Sequence, residues 1–198
     1  DYRRLLSVFY DNAYYGAQIS IRINGVEAAQ LPLTIDLKAP ITVKIALTAG
    51  PQFDFGKVML GPQPETQGPA ILAPGMIAKA ELIKQASASL INDWRRKGHP
   101  LAKVADATLT ADHARQKLDV SIRIDPGPPL GFAQPTVSGA TGVDAGFITY
   151  IADIPEGQAF DPDTLDQARE RLMRLGVFRS VQIEEAEAPD PKGNLATN

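Results

Sequence analysis

The chain has no cysteine, one tryptophan and two histidines in 198 residues. Without cysteine there is neither a disulfide framework nor a thiolate metal site, although the same absence does not separate the cytoplasm from an oxidising compartment. Charge of one sign is scarce too, since 20 Lys and Arg against 23 Asp and Glu leave a formal net charge of −3. No basic field is there to gather phosphate, and Lys and Arg are spread along the chain without a nucleic-acid motif, which discounts nucleic acid as a partner. No apolar run comes near the roughly 20 residues of a membrane helix. The start, "DYRRLLSVFY", has neither an initiator Met nor a signal-peptide pattern, so the expectation is a piece of something longer. What is present is ordinary for a folded protein: 44% hydrophobic and 22% charged residues, richer in core formers than a disordered chain. The length admits one large domain or two to three small ones.

The strongest positive signal is a repeat. Setting "ITVKIALTAGPQFDF" over "LDVSIRIDPGPPLGF" puts Gly50 on Gly127, Pro51 on Pro128, Phe53 on Leu130 and Phe55 on Phe132, an offset of 127 − 50 = 77 residues. Before each Gly-Pro corner apolar residues alternate: Ile41, Val43, Ile45 and Leu47 in one copy, Leu118, Val120, Ile122 and Ile124 in the other. Period two with one apolar face predicts a half-buried strand. The corner ends one strand, and the aromatic or aliphatic residues after it begin the next. Proline fixes its own φ and the connection is short, so neighbouring modules are expected to form a semi-rigid arm with Gly50, Pro51, Phe53, Phe55, Gly127, Pro128, Leu130 and Phe132 at the interdomain joints.

Other segments keep the same register. Ala80, Ile83, Ser87, Leu90 and Trp94 recur at helical spacing within 77–97, which stops at Gly98 with three cations in its last turn. A second helix is predicted over 162–175, with Asp161 as cap, Pro162 in the first turn and Gly176 beyond its end. A further one is predicted over 144–152. Strands are expected at 16–24, 55–60, 104–110, 117–124 and 181–184, and a Pro/Gly-rich connection at 61–75.

Catalytic readings find little support. His99 lies in the helix-exit turn "KGHP" and His113 in the apparent turn "TADHARQ", where packing or solvation accounts for them. The acids of "DPDTLDQARERL" match helix capping and a solvated face, and their spacing is not that of a calcium loop. The glycines of "SGATGVDAG" lack the Gly-Lys-Ser/Thr end of a phosphate loop. Trp94, Tyr14 and Tyr15 are read as packing residues. No catalytic, cofactor-binding or metal residue is assigned, and no enzyme is expected.

Taken in order, "FGKVMLG" and "GFAQPTVSG" as first strands, "LIKQASASLINDWRRKGHPLA", and "IPEGQAFDPDTLDQARERLMRLGVFRSVQI" as helix and following strand make the chain similar to the POTRA (polypeptide-transport-associated) domains, over nearly its whole length. The resemblance implies an α+β fold of tandem β-α-α-β-β modules, each a small mixed three-stranded sheet with two helices on one face. Residues 1–52 would be the C-terminal part of a first domain, 53–129 a second, and 130–198 a third lacking its closing strand, with more sequence, or a neighbour's strand, expected to complete the first and last. The chain looks like the periplasmic portion of a Gram-negative outer-membrane assembly protein of the BamA/TamA superfamily, TamA type. That implies no cofactor, a downstream β-barrel, and as partners unfolded outer-membrane protein clients, autotransporters among them, or an inner-membrane-anchored subunit of TamB type. In this family the strand after the second helix is the exposed edge that pairs with extended peptide. Carried over here, that edge holds Gln18, Ile19, Ser20, Ile21 and Arg22 in the first module, Val104, Asp106, Ala107 and Thr108 in the second, and Val181, Gln182 and Ile183 in the third. The alternative is the POTRA region of a two-partner secretion transporter or a cell-division scaffold, acting as an interaction module.

Overall fold

The structure, a computed structural model, describes residues 2–32, 34, 39–63 and 72–198. The chain divides into two compact units, one made of Asp1–Met59, Ala70–Ala86 and Thr108–Ser121, the other of Leu60–Pro69, Ser87–Ala107 and Ile122–Asn198. Each Gly-Pro corner lies inside one unit. The expected Pro/Gly-rich connection lies partly outside the described residues, at 64–71.

In the first unit helix α1 (Tyr2–Asp11) precedes strand β1 (Gln18–Ile23), which turns back into the two-residue β2 (Val26–Glu27). The turn is Asn24-Gly25, both at positive φ, 50° and 88°. That pair of left-handed residues gives a two-residue hairpin the twist its strands need. On its other side β1 pairs antiparallel with β3 (Val43–Thr48), Ile19 opposite Leu47, Ile21 opposite Ile45 and Ile23 opposite Val43. Six apolar side chains therefore share one face. The expected half-burial is not realised along β3, where all six residues are exposed, Val43, Ile45 and Leu47 each by about half. Its place at the margin of the order β2-β1-β3 gives each of them a strand neighbour on one side only.

The middle sheet has the order β4-β6-β5, from β4 (Asp54–Gly61), β5 (Lys103–Asp112) and β6 (Lys117–Asp125). The alternation before the second corner does what it predicts: Leu118, Val120, Ile122 and Ile124 are buried on the central strand. β4 runs parallel to β6, since Asp54 N–H bonds the Gln116 carbonyl and, further along both, Lys57 N–H bonds the Asp119 carboxylate at 2.7 Å. Helix α2 (Ala80–Arg95) starts later than the spacing predicts. Ile77 is bridged antiparallel to Asp54 and Ala78 N–H bonds the Phe53 carbonyl, so these two residues are held extended and the helix cannot include them.

In the second unit β7 (Gly131–Phe132) leads to α3 (Ala145–Ala152) and α4 (Pro162–Arg174). Both helices open on aspartate caps, Asp144 accepting from Phe147 N–H at 2.9 Å and Asp161 from Asp163 N–H at 3.0 Å. They pack through Ile148, Ala152, Ala168 and Leu172. The α3 terminus is closed from α4, for the Arg171 guanidinium donates to the carbonyls of Ile151, Ala152 and Asp153. Leu130, Phe132, Phe160, Leu165 and Leu195 form the neighbouring core.

The expectation that the last module lacks a closing strand does not hold. β8 (Asn194–Leu195) pairs parallel with β7, and Thr136 N–H continues the ladder to the Thr197 carbonyl. On the other side Glu184 and Asn198 exchange two backbone bonds, and Ala186 N–H reaches the Ala196 carbonyl. Residues 194–198 thus lie between 131–136 and 184–186, the central place that β6 has in the middle sheet. The turn that returns the chain is built by Asp190, whose carboxylate accepts the N–H groups of Lys192 and Asn194.

Candidate functional site

The residues singled out in the sequence fall in two kinds of place, the Gly-Pro corners and the strand margins. At the corners Gly50 and Gly127 have φ of 72° and 66°. Glycine reaches that left-handed region without strain, and the following proline supplies a fixed φ, so the direction change is set locally. The residues after each corner make the same four backbone bonds. Phe53 N–H donates to the Ala13 carbonyl and Leu130 N–H to the Gly98 carbonyl, both at 2.9 Å. The Phe53 carbonyl accepts from Ala78 and the Leu130 carbonyl from Phe160. Phe55 exchanges bonds with Met76 and Gly75 as Phe132 does with Gln158 and Gly157. One residue thus bonds the preceding helix exit through its N–H and its own module through its carbonyl.

Side chains reinforce both corners. Phe53 is buried edge-on against Tyr15 and His113, with ring centroids 5.8 and 5.4 Å apart. Tyr15 donates its hydroxyl to the Ala78 carbonyl at 2.8 Å, and burial pushes its pKa up to about 12. At the second corner His99 Nδ1 lies 2.9 Å from the Gly127 carbonyl and its ring meets Trp94 edge-on. Arg95 bonds Glu185 at 2.5 Å and sits 5.3 Å from the centre of the Phe160 ring. Phe55, Leu130 and Phe132 are buried, while Pro51 and Pro128 are exposed.

The three strand margins differ from one another. Of Gln18, Ile19, Ser20, Ile21 and Arg22, all of which pair with β3, only Arg22 also pairs with the two-residue β2 on the other side. Glu27 extends that cover by side chain: its carboxylate accepts from Ile21 N–H at 3.0 Å, from the Ser20 hydroxyl at 2.7 Å and from the Tyr2 hydroxyl at 2.7 Å. These hydrogen bonds, Tyr2 first and then Ser20 and Ile21, hold its pKa down at about 2. Sequence reasoning missed Glu27, although the Asn24-Gly25 pair two residues before it is a hairpin signal.

The second margin, β5 with Val104, Asp106, Ala107 and Thr108, is an edge, and it is long. It lies beside β6 on one side, the first eight of its ten residues are exposed, and no described strand lies beyond it. The third differs again, because Val181, Gln182 and Ile183 are extended but belong to no strand. Pairing with 196–198 begins only at Glu184, and Val181 and Ile183 turn inward against the α3–α4 core. Beside them lies a slot of about 410 Å³ walled by 135–140 and 180–184, with Ile148, Ala152 and Leu172 in its lining and Thr197 and Asn198 at its end. Among the described residues no cluster of three or more metal-ligating side chains occurs, and no helix is long and apolar enough to cross a membrane.

Compared with solved structures, the chain is similar to the POTRA3–5 segment of Haemophilus influenzae BamA, with a TM-score of 0.70 and 16% identity over 98% of this chain and 76% of that one. It is also similar to Haemophilus ducreyi BamA lacking POTRA domains 1–3, with a TM-score of 0.58 and 12% identity, over 73% of this chain and 28% of that one. No protein-family model matches the sequence, and no curated protein matches it. At these identities the likeness is one of fold: the architecture is the α+β fold of tandem POTRA domains.

Proposed function

We propose that this chain is a periplasmic POTRA arm of an outer-membrane assembly protein of the BamA/TamA superfamily, of TamA type, whose boundaries fall near 52/53 and 129/130. The arm binds extended strands of unfolded clients, or of an inner-membrane-anchored partner of TamB type, and hands them to a β-barrel that follows it. It works by backbone pairing and carries out no chemistry. The observation that carries this reading is β5, a ten-residue strand at the margin of its sheet with eight successive exposed residues. A strand at the margin of a sheet can template another strand, and recognition through main-chain groups tolerates many sequences. The repeated bonding at the two corners supports a stiff arm, and the 16 residues of α2 against 13 in α4 support the TamA-type assignment.

The test uses the alternation of a strand. Backbone N–H groups of successive residues point to opposite margins, so Val104 and Ala107, three apart, lie on opposite sides of β5. Of Val104→Pro and Ala107→Pro, one removes a donor from the ladder to β6 and lowers Tm. The other leaves Tm near wild type and removes a donor from the open margin. That second variant is expected to bind a labelled strand peptide from an unfolded outer-membrane protein roughly tenfold more weakly, the equivalent of about one hydrogen bond. Unchanged binding by the variant that keeps its Tm would overturn the reading.

A further inference from the structure

The two packed helices of the second unit treat water differently. On α4 charged residues pair along the helix, Arg169 with Asp166 and Arg174 with Glu170. On α3, AGFITYIA, no residue is charged. One side of α3 is occupied, since Ile148 and Ala152 pack with Ala168 and Leu172, and Ile151 lies against the same core. At helical spacing Phe147 and Tyr150 share the opposite side, and they are 46% and 79% exposed. A helix without charge on either side is the kind found inside a larger packing.

Charge frames this exposed face. Asp144 stands one turn before Phe147 and Asp153 one turn after Tyr150, so the two rings lie between two carboxylates over a length of about 13 Å. Both aspartates are exposed. Neither forms an ion pair among the described residues. Arg171, at the Asp153 end, gives its donors to the carbonyls of 151–153. The backbone is closed at the other end too, where Asp144 accepts from Phe147 N–H. An incoming chain therefore meets side chains only. An extended segment would give up its backbone bonds to water with none in return, whereas a helix brings its own bonds already made. A lipid surface fits poorly, because helices that lie on membranes carry Lys and Arg on the polar side, and carboxylates would here meet headgroup phosphates.

We infer that the outer face of α3 docks an amphipathic helix of a partner protein. An aliphatic stripe of that helix seats on Phe147 and Tyr150, and a Lys or Arg at each end of the stripe faces Asp144 and Asp153. Exposed aromatic rings on a regular element, rimmed by charge, have the composition of an interface anchor. The face belongs to another element than β5 and works through side chains, so the inference goes beyond strand binding and does not depend on it.

The probe is a designed helical peptide of about 16 residues with leucines at heptad positions a and d and a lysine at each end of that stripe. Its control carries glutamates in place of the lysines. Titrated into the intact chain, the lysine peptide is expected to shift the amide resonances of 144–153 and to bind roughly tenfold more tightly than the glutamate peptide. Tyr150→Ala, which removes a side chain mostly in water, should keep the wild-type Tm and weaken the lysine peptide by roughly tenfold. Asn caps a helix as Asp does and tolerates the left-handed φ of 49° at position 153, so Asp144→Asn combined with Asp153→Asn leaves the helix intact. That double variant should bind the two peptides about equally. Equal binding of the two peptides by the wild type, or unchanged binding by Tyr150→Ala, would overturn the inference. Vesicles of phosphatidylethanolamine and phosphatidylglycerol that sediment the wild type but not Tyr150→Ala would overturn it in favour of a lipid surface. Self-association that Tyr150→Ala abolishes would overturn it in favour of a second copy of this chain.

Discussion

Glu27 shows how one side chain changes the use of a strand. The resemblance to POTRA domains implies that Gln18 to Arg22 lie on an edge strand. The carboxylate two residues beyond the Asn24-Gly25 turn instead occupies the Ile21 N–H, and it joins Tyr2 and Ser20 in one cluster. Proline at Ile21 would remove a donor that the fold uses and is no clean probe of client binding. The cluster carries a pH dependence of definite sign. A carboxyl whose folded pKa lies below its unfolded value stabilises the fold above the unfolded value, near 4.3 for glutamate, and that contribution disappears as pH falls toward the folded value. With Glu27 held at about 2, the loss falls between about pH 4.5 and 2. The urea midpoint of the wild type should fall across this window more steeply than that of Glu27→Gln, with Ile21 amide exchange rising in parallel. Equal slopes for the two proteins would rule the cluster out as the source.

At the scale of elements, strand alternation and helix spacing were legible because each is a local property. The alternation before the second corner marks the buried face of β6, and the Asp144 and Asp161 caps start α3 and α4 where the sequence places them. What escaped depends on partners distant in sequence. Residues 194–198 are a strand because 131–136 and 184–186 flank them, and five residues after a Pro-Asp-Pro-Lys-Gly turn carry almost no periodicity. Leu195 standing 77 residues after Leu118 was the available signal. Val181 to Ile183 are no strand for the complementary reason, since the backbone pairing with 196–198 begins only at Glu184. Arg171 is another distant tie, as a polar residue on α4 that binds three carbonyls at the end of α3. Arg171→Met keeps most of the aliphatic bulk and removes the donors. It should cost about 2 kcal/mol, because charged donors to half-buried carbonyls are worth more than neutral ones. Chemical denaturation measures the loss, and a cost no larger than that of Arg174→Met, on the exposed face, would show that the tie contributes nothing.

At the scale of the whole molecule, the repeat is more than a resemblance of strands. The residue after each corner takes the helix exit before it as acceptor and its own module as donor, and each corner lies within one of the two compact units. In the second unit Leu130 ties several segments: its N–H bonds the Gly98 carbonyl, its carbonyl accepts from Phe160, and its side chain belongs to the core with Phe132, Phe160 and Leu195, against which Leu101 packs. Truncation to alanine removes the packing and leaves a cavity, at a cost of about 2 to 5 kcal/mol. Because the core around Leu130 includes Phe160 and has Leu101 packed against it, Leu130→Ala should raise hydrogen exchange over 98–102 and over 158–165 together, by similar factors. A flexible joint would give a different result, with exchange rising at 158–165 while 98–102 stayed at its wild-type rate. Mass-spectrometric exchange on the intact chain distinguishes the two.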